Sequence, residues 1–249
     1  MKIPGYLVFP AMTLLLSAGC AGTHMRRGDR MAAERNYQRA ASAYTRSLDV
    51  VPSYDAHLKR GIVLGELGEH DLALQDFSEA ALLRPGDNRQ ALLYQGEHYL
   101  KQGNLEKALE VSDELAAENP RDVMAVSLRG EVWFAKGDYR QALEDFEAAL
   151  RTAGPADPLR LDLLYNRAIS LYKLGRFRDA RLAYQDYIEG RTSRGKGLRQ
   201  QDHYNMGLFC YADYDYEAAR VHWMRLSARQ RQAIAARVRE ESLRDIALQ

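Results

Sequence analysis

The sequence predicts an all-α superhelical solenoid of about six helix pairs, closed by a C-terminal capping helix. Three observations support this prediction. Alanine returns at a period of about 34 residues, apart from short insertions, a small residue stands twelve positions before it, and a large side chain usually stands four positions after it. The alanines are Ala40, Ala73, Ala108, Ala142, Ala180 and Ala219.

The other two positions complete the pattern. The small residues are Gly28, Gly61, Gly96, Gly130, Ala168 and Gly207. The residues four positions after the alanines are Tyr44, Phe77, Ser112, Phe146, Tyr184 and Trp223. Two small residues let paired helices approach closely, and the aromatic ring fills the gap that remains, so each unit is predicted to be two antiparallel helices. Glycines in "GELGEHD", "KQGNLE", "AKGDYR" and "KLGRFR" mark the turns, whereas Arg35 and Tyr214 replace them in the first and last units.

This pattern resembles the tetratricopeptide repeat (TPR), whose period and signature it matches. The resemblance implies a TPR-repeat domain over residues 20–233, with units at about 21–54, 54–87, 89–122, 123–156, 161–194 and 200–233. After the last unit, residues 234–249 are predicted to form an amphipathic capping helix. Its apolar face is expected to contain Ile234, Val238 and Ile246.

The amino terminus has the layout of an export signal. Lys2 precedes a charge-free apolar run, and small residues then lead to Cys20. The stretch "LSAGC" resembles the lipobox of bacterial lipoproteins, which implies a signal peptide at 1–19 and lipid attachment, such as palmitate, at Cys20. Because Ala21 rather than Asp follows, the same resemblance implies an outer-membrane anchor with the body in the periplasm. The alternative is an ordinary secretory signal with an incidental cysteine.

The composition gives little support to nucleic-acid binding or catalysis. Thirty-five Lys and Arg residues balance 34 Asp and Glu residues, so no basic excess points to nucleic acid. The sequence contains no phosphate loop, dinucleotide-binding glycine pair or nucleophile elbow. The acidic residues fall on helix positions that are expected to face solvent. We therefore predict a protein without a cofactor that is not an enzyme.

The histidines and cysteines give no complete metal site. The six histidines are scattered through the chain, and the nearest candidate pair is His203 with Cys210, seven residues apart on one helical face. Zinc needs three or four protein ligands, and the sequence supplies no third, so no metal site is predicted. Cys210 stands at a core position of its repeat, which predicts a buried, inert thiol. An enzyme using Cys210 and His203 is the alternative.

The first helix of each unit is expected to line the inner face of the stack. By the TPR resemblance, the fifth, sixth, ninth and twelfth positions of a unit face a binding groove. The predicted groove consists of Leu93, Tyr94, Phe134, Tyr165, Asn166, Ile169, Tyr172, Tyr204, Asn205, Leu208 and Tyr211. A contiguous apolar patch is typical of an interaction site. The alternative is that these side chains pack against one another or against the capping helix.

The last predictions concern the segment 190–200 and the role of the whole protein. The cationic stretch 190–200 is interpreted as a solvated loop, with contact to anionic lipid or a partner as the alternative. A lipoprotein with a body of TPR repeats, as predicted here, resembles the assembly factors of type IV and tight-adherence (Flp) pili. The resemblance implies a periplasmic scaffold that binds protein partners in pilus, secretin or other cell-envelope machinery. The alternatives are an adaptor for peptidoglycan hydrolases or synthases and a subunit of outer-membrane protein insertion.

Overall fold

The computed structural model describes residues 9–236, with side chains from residue 19 onward. This part of the chain consists of helices and connecting turns, without a β-strand. The chain divides into two compact units, residues 1–120 and residues 121–249. Each unit contains three helix pairs, and each helix packs mainly against its neighbours in the sequence. The predicted all-α TPR fold is confirmed.

The first unit contains helices α1 to α6, in which each odd-numbered helix begins a pair. They are α1 (Phe9–Ala33), α2 (Tyr37–Val50), α3 (Tyr54–Glu66), α4 (His70–Leu83), α5 (Arg89–Lys101) and α6 (Leu105–Glu118). Polar side chains begin several of these helices. Ser53, for example, accepts a hydrogen bond from the backbone N–H of Ala56 and so satisfies one of the free donors at the start of α3.

The second unit contains helices α7 to α12 and the start of one more helix. They are α7 (Val123–Lys136), α8 (Tyr139–Thr152), α9 (Arg160–Lys173), α10 (Phe177–Ser193), α11 (Gln200–Ala212) and α12 (Tyr216–Trp223). The additional helix begins at residue 228 and is described as far as 236. Asp138 and Asp215 cap α8 and α12 through side-chain hydrogen bonds to backbone N–H groups.

Close contact between the two helices of a pair explains the repeated small residues. A Cβ atom at Gly61 would lie 2.6 Å from the Phe77 ring, and one at Gly130 would lie 2.8 Å from the Phe146 ring. Real Cβ atoms do not approach a ring so closely, so glycine is needed for the helices to pack at this spacing. The six repeated alanines are all fully buried, at 0 % exposure. These contacts confirm the predicted roles of both small positions.

The turns within the pairs require a left-handed residue. Gly137 and Gly175 hold this conformation, with φ of 84° and 74°, and glycines at 68 and 103 do the same. Arg35 and Tyr214 occupy the equivalent positions of the first and sixth pairs with φ of 56° and 64°. The backbone therefore adopts the same turn where the sequence lacks glycine, although a side chain makes that conformation less favourable.

The end of the sixth pair differs from the predicted boundary at 233. Helix α12 ends at Trp223, and Ser227 caps the next helix through a hydrogen bond from the backbone N–H of Gln230. The Arg231 guanidinium donates to the carbonyls of Met224 and Leu226 and ties the new helix to the end of α12. Ile234 is buried, as predicted for the apolar face, whereas Val238 and Ile246 lie outside the described residues.

The cationic segment 190–200 is largely exposed, as the sequence predicts for a solvated loop, although its first part is helical and two of its arginines bind the unit itself. Helix α10 continues to Ser193, and Arg191, in its last turn, and Arg194, just after its end, make hydrogen bonds with backbone carbonyls. Arg194 donates to the carbonyl oxygens of Pro155 and Asp157, at 2.6 and 2.9 Å, and Arg191 donates to the carbonyl oxygen of Gly197 at 2.8 Å. These charges therefore fasten the α10–α11 connection to the turn before α9.

Candidate partner-binding site

A pocket of about 420 Å³ lies between the first helices of the fourth and fifth pairs. We call it the α7–α9 pocket. Its lining residues are Ser127, Glu131, Phe134, Phe146, Leu159, Asp162 and Asn166. Helix α7 supplies three of them at successive turns of one face, and α9 supplies Asp162 and Asn166 in the same way. Phe146, from α8, is fully buried and completes the lining.

Hydrogen bonds at the helix ends hold both walls of the pocket in place. Asp122 caps α7 by accepting from the backbone N–H groups of Met124 and Ala125, at 3.0 and 3.3 Å. At the start of α9, the Arg160 guanidinium donates to the carbonyl oxygen of Ala153 at 2.8 Å. Side chains on capped, packed helices keep their spacing better than side chains on free loops, so the pocket is preformed.

The pocket is acidic and partly aromatic. Glu131 and Asp162 are exposed carboxylates on opposite walls, and the amide of Asn166 lies half-buried beside Asp162. The hydroxyl of Ser127 lies 3.5 Å from Glu131 Oε1 and donates to it. Phe134 contributes a ring, which packs edge-on against Tyr139 at 5.1 Å. None of the residues lining this pocket carries a positive charge.

Most tyrosines of the predicted groove pack within the second unit. The Tyr165 ring contacts the Tyr187 ring at 5.5 Å, and Tyr172 contacts Phe209 at 5.3 Å. Tyr211 packs against Trp223 at 5.7 Å. All three groove tyrosines are half-buried, so each keeps only part of its surface for a partner.

Other groove residues are less accessible still. Leu93 and Asn205 are buried, so neither is part of an exposed floor. Leu93 lies in the core of the first unit, where its neighbour Tyr94 stacks on Phe77 at 5.5 Å. The Asn205 amide donates to the hydroxyls of Tyr184 and Tyr165 and so serves the interior. Phe134, Asn166, Ile169, Tyr204 and Leu208 remain half-exposed.

Comparison with known sequences identifies the family. The sequence model of the tetratricopeptide repeat matches four overlapping stretches, 24–88, 58–123, 95–158 and 128–197, which together span more than half of the chain. The chain belongs to the tetratricopeptide repeat family. TPR domains are scaffolds for protein–protein interaction, and their function lies in what they bind.

Solved TPR structures share this fold. PilF of Pseudomonas aeruginosa superposes with a TM-score of 0.70 at 20% identity, over 89% of this chain and 99% of that one. MamA of Desulfovibrio magneticus RS-1 gives a TM-score of 0.62 at 19% identity, over 70% of this chain and 96% of that one. A tetratricopeptide repeat protein of Parabacteroides merdae gives 0.62 at 19% identity, over 82% and 76%. At this identity the likeness concerns the fold alone.

Buried aspartates are a feature of this TPR chain that the sequence analysis missed. Asp76 is only 1 % exposed, and it accepts two hydrogen bonds from Arg60 and one contact from His57 Nδ1 at 2.8 Å. Asp145 accepts two hydrogen bonds from Arg129 in the same geometry. The expectation that acidic residues face solvent is wrong here, because a paired carboxylate can be buried. Because the Arg and the Asp have the same sequence separation in the second and fourth pairs, the sequence could have predicted these buried ion pairs.

The largest of these clusters surrounds Asp202, at the start of α11. Its carboxylate is 1 % exposed and accepts from the Arg199 guanidinium, from the Arg199 backbone N–H at 2.8 Å, and from the hydroxyls of Tyr184 and Tyr187. Burial alone would raise the pKa of Asp202, but these bonds and the charges of Arg199 and Arg191 hold it below its ordinary value of 3.8. The cluster joins the fifth pair to the sixth.

Two pairs of histidines meet in the fold, contrary to the impression that the histidines are scattered. His203 Nδ1 lies 3.3 Å from His222 Nδ1, and the His70 and His98 rings lie 5.7 Å apart. His203 therefore pairs with His222 rather than with Cys210. Burial lowers the pKa of both His203 and His222, which favours neutral imidazoles. Within residues 9–236, no group of three potential ligands is close enough to hold a metal ion.

The two cysteines lie in contrasting environments. Cys210 is buried, and burial raises the pKa of its thiol, so it lacks the thiolate character of a nucleophile. Cys20 is exposed on α1. Among the described residues, no helix is both long enough and apolar enough to span a bilayer.

Proposed function

We propose that this protein is an outer-membrane-anchored periplasmic scaffold that holds a segment of a partner protein while a pilus or secretion machine assembles. The partner segment lies against the first helices of the second unit. The observation that carries the proposal is the α7–α9 pocket, a preformed cavity on helices whose equivalent positions bind partners in many TPR proteins. Half-exposed groove residues on the following first helices, such as Ile169 on α9 and Leu208 on α11, extend the contact surface.

Membrane anchoring rests on the amino terminus. The "LSAGC" stretch supplies the lipobox-like motif, and Cys20 is exposed, as an acylation site must be. A single acyl chain binds a membrane only marginally, whereas several chains give a lasting anchor. Lipidation at Cys20 therefore localises the repeats to a membrane surface without a spanning helix.

Participation in pilus or secretion assembly rests on resemblance. The sequence resembles pilus-assembly lipoproteins, and PilF, which shares the fold over nearly its whole length, is one of the solved TPR structures to which this chain is similar. Scaffolds of this kind act by raising the local concentration of their partners at the membrane. The proposed activity therefore requires both the anchor and the groove.

The anchor is tested by fractionating cells that produce the Cys20→Ser chain. We expect the wild type in the outer-membrane fraction and the variant in the soluble periplasmic fraction. Cys210→Ala is the matched control, because it removes the other thiol and leaves the amino terminus intact. A Cys20→Ser chain that still sediments with membranes would contradict the proposed anchor.

Partner binding is tested by photo-crosslinking in intact cells. A crosslinking phenylalanine analogue replaces Met124, which is exposed in the first turn of α7, the helix that supplies Ser127, Glu131 and Phe134 to the pocket. The control places the same analogue at Leu182, which is 50 % exposed against 43 % for Met124 but lies on α10, the second helix of its pair. We expect a discrete adduct with a pilus or secretion component from position 124 alone. Adducts only with peptidoglycan enzymes, or none, would refute the proposed role.

A further inference from the structure

A second pocket, of about 240 Å³, lies between the end of α12 and the helix that begins at residue 228. We call it the α12 pocket. Two sets of side chains line it, each spaced i, i+3 and i+4 along the chain: Arg220, Trp223 and Met224 in the first set, and Arg231, Ile234 and Ala235 in the second. Residues at this spacing share one helical face, so each set presents a guanidinium group together with apolar side chains about one turn later.

The α12 pocket has a firm apolar wall and an open apolar rim. Ile234 is buried, and the half-buried Trp223 is held in place by the hydrogen bond from its indole N–H to the carbonyl oxygen of Tyr204. Met224, by contrast, is 64 % exposed, and Val221, next to Arg220 in the sequence, is 56 % exposed. Large apolar side chains exposed beside an apolar cavity are typical of an interaction site. The volume is below the roughly 300–1,000 Å³ of pockets for small ligands, so it fits one side chain of a partner.

The charge around the α12 pocket is positive. Residues 218–236 contain four arginines and neither Asp nor Glu. The guanidinium of Arg220 makes no hydrogen bond or ion pair with the other described residues. Arg231 makes both of its bonds to carbonyl oxygens through Nη1, which holds it at the pocket and leaves Nε and Nη2 as donors for a further acceptor. An apolar cavity between two such guanidinium groups is complementary to an apolar group that carries an anion close by.

We propose that the α12 pocket binds a segment of a partner protein in which a large apolar residue stands beside an acidic one. The apolar side chain fills the cavity against Trp223 and Ile234, and the carboxylate pairs with Arg220. A cavity of this size matches one side chain, whereas a lipid surface takes up an extended apolar helix face. The site is separate from the groove of the proposed function, because the groove lies on first helices and α12 is the second helix of its pair.

The first experiment uses the purified full chain and three probes that separate the two parts of the recognised motif. The probes are the N-acetyl amides of the dipeptides Leu-Glu, Leu-Gln and Ala-Glu. We expect Leu-Glu to shift the indole N–H NMR signal of Trp223 saturably, while that of Trp133, on α7, stays in place. Leu-Gln should bind about tenfold more weakly without the charge, and Ala-Glu about fivefold more weakly without the apolar group. Equal affinities for the three probes, or no saturable shift of the Trp223 signal, would overturn the proposal.

Substitutions assign the two contacts to the pocket. Arg220→Gln should remove the preference for Leu-Glu over Leu-Gln and leave the fold intact, since the side chain is exposed. Arg229→Gln, at an exposed arginine of the same segment that lies outside the pocket lining, is the matched control and should keep the preference. Ala235→Phe, at an exposed lining residue, places a ring in the cavity and should abolish the binding of both leucine probes without a change in circular dichroism. Leu-Glu binding that survives Ala235→Phe, or a charge preference that survives Arg220→Gln, would refute the pocket as the site.

Other occupants of the pocket give different results. With the crosslinking analogue in place of Met224, we expect an adduct with added Leu-Glu. An adduct with the chain's own residues 237–249 instead would overturn the proposal in favour of an internal contact. Vesicles of phosphatidylglycerol should not bind the Cys20→Ser chain, and binding to them without a Trp223 shift by Leu-Glu would assign the site to a lipid surface. Leu-Glu binding in a chain that gives no cellular adduct from position 124 would remove the proposed groove and leave the α12 pocket.

Discussion

The fourth and sixth helix pairs follow the same residue pattern but satisfy it with different side chains. In the fourth pair, Gly137 takes the left-handed turn at a φ of 84°, and Phe146 packs over Gly130 from within a 14-residue helix. In the sixth pair, Tyr214 takes the turn at a φ of 64°, and α12 has only eight residues. The backbone geometry persists although the residues best suited to it are replaced.

Compensating contacts explain how the sixth pair tolerates these replacements. Trp223 fills the aromatic position as the last residue of α12, and its indole N–H donates to the carbonyl oxygen of Tyr204 at 3.4 Å. The Asp202 cluster fastens α11 to α10 with bonds that the fourth pair does not need. The comparison indicates that the repeated spacing of small and large residues within the chain defines the fold. Polar contacts restore stability in the pair where this residue pattern is irregular.

The largest expected effect comes from removing the Asp202 carboxylate. Asp202→Ala removes the acceptor of the Tyr184 and Tyr187 hydroxyls and the carboxylate that pairs with Arg199, so we expect a loss of about 2–4 kcal/mol in unfolding free energy. Urea denaturation followed by circular dichroism measures it. Asp186→Ala, at an exposed ion pair, is the control and should cost about 0–1 kcal/mol.

The pH dependence of that loss tests its electrostatic origin. Because the pKa of folded Asp202 is lowered, its charge contributes stability above the ordinary value of 3.8, and the contribution disappears as the pH falls through the folded pKa. The difference between wild type and Asp202→Ala should thus be full at neutral pH and shrink below pH 3.8. A gap that stays constant down to the acid limit would show that packing, not charge, holds the junction together.

Particular residues show how far the sequence could predict this structure. The buried alanines and the turn glycines follow from spacing alone, because a repeated backbone contact demands the same small residue each time. The spacing of the repeat does not predict the burial of Asp202. Its partners Arg191 and Tyr187 lie near the end of α10, outside the repeated positions. The α7–α9 pocket contains Phe134 and Asn166 of the predicted groove, and Ser127 and Glu131 also stand at groove positions of the fourth unit. The enclosure of these side chains between α7 and α9 became visible only in the fold, because repeat positions give the face of a helix and not the distance to the next one.

An intermediate effect is expected where the fourth pair is tightest. Gly130→Ala places a methyl group 2.8 Å from the Phe146 ring and 3.2 Å from Asp145 Cβ, and the strain should outweigh the gain in helix propensity by about 1–2 kcal/mol. Shifts in the urea midpoint measure the loss. In a Phe146→Leu background the same substitution should be neutral or stabilising, because the smaller side chain leaves room. An equal loss in both backgrounds would contradict contact with the ring as the cause.

The smallest effect concerns the left-handed turns, where the two pairs should respond in opposite directions. Gly137→Ala forces a side chain into a φ of 84° and should lower the unfolding free energy by about 1 kcal/mol. Tyr214→Gly removes that penalty and should raise it by about 0.5–1 kcal/mol. Tyr214 is 78 % exposed, so little packing is lost with its ring. Tyr214→Ala keeps the backbone penalty while removing the same ring, which makes the difference between the two variants a direct measure of the strain. If both variants unfold at the same urea concentration, the turn in the sixth pair is not strained, and its irregular sequence carries no local cost.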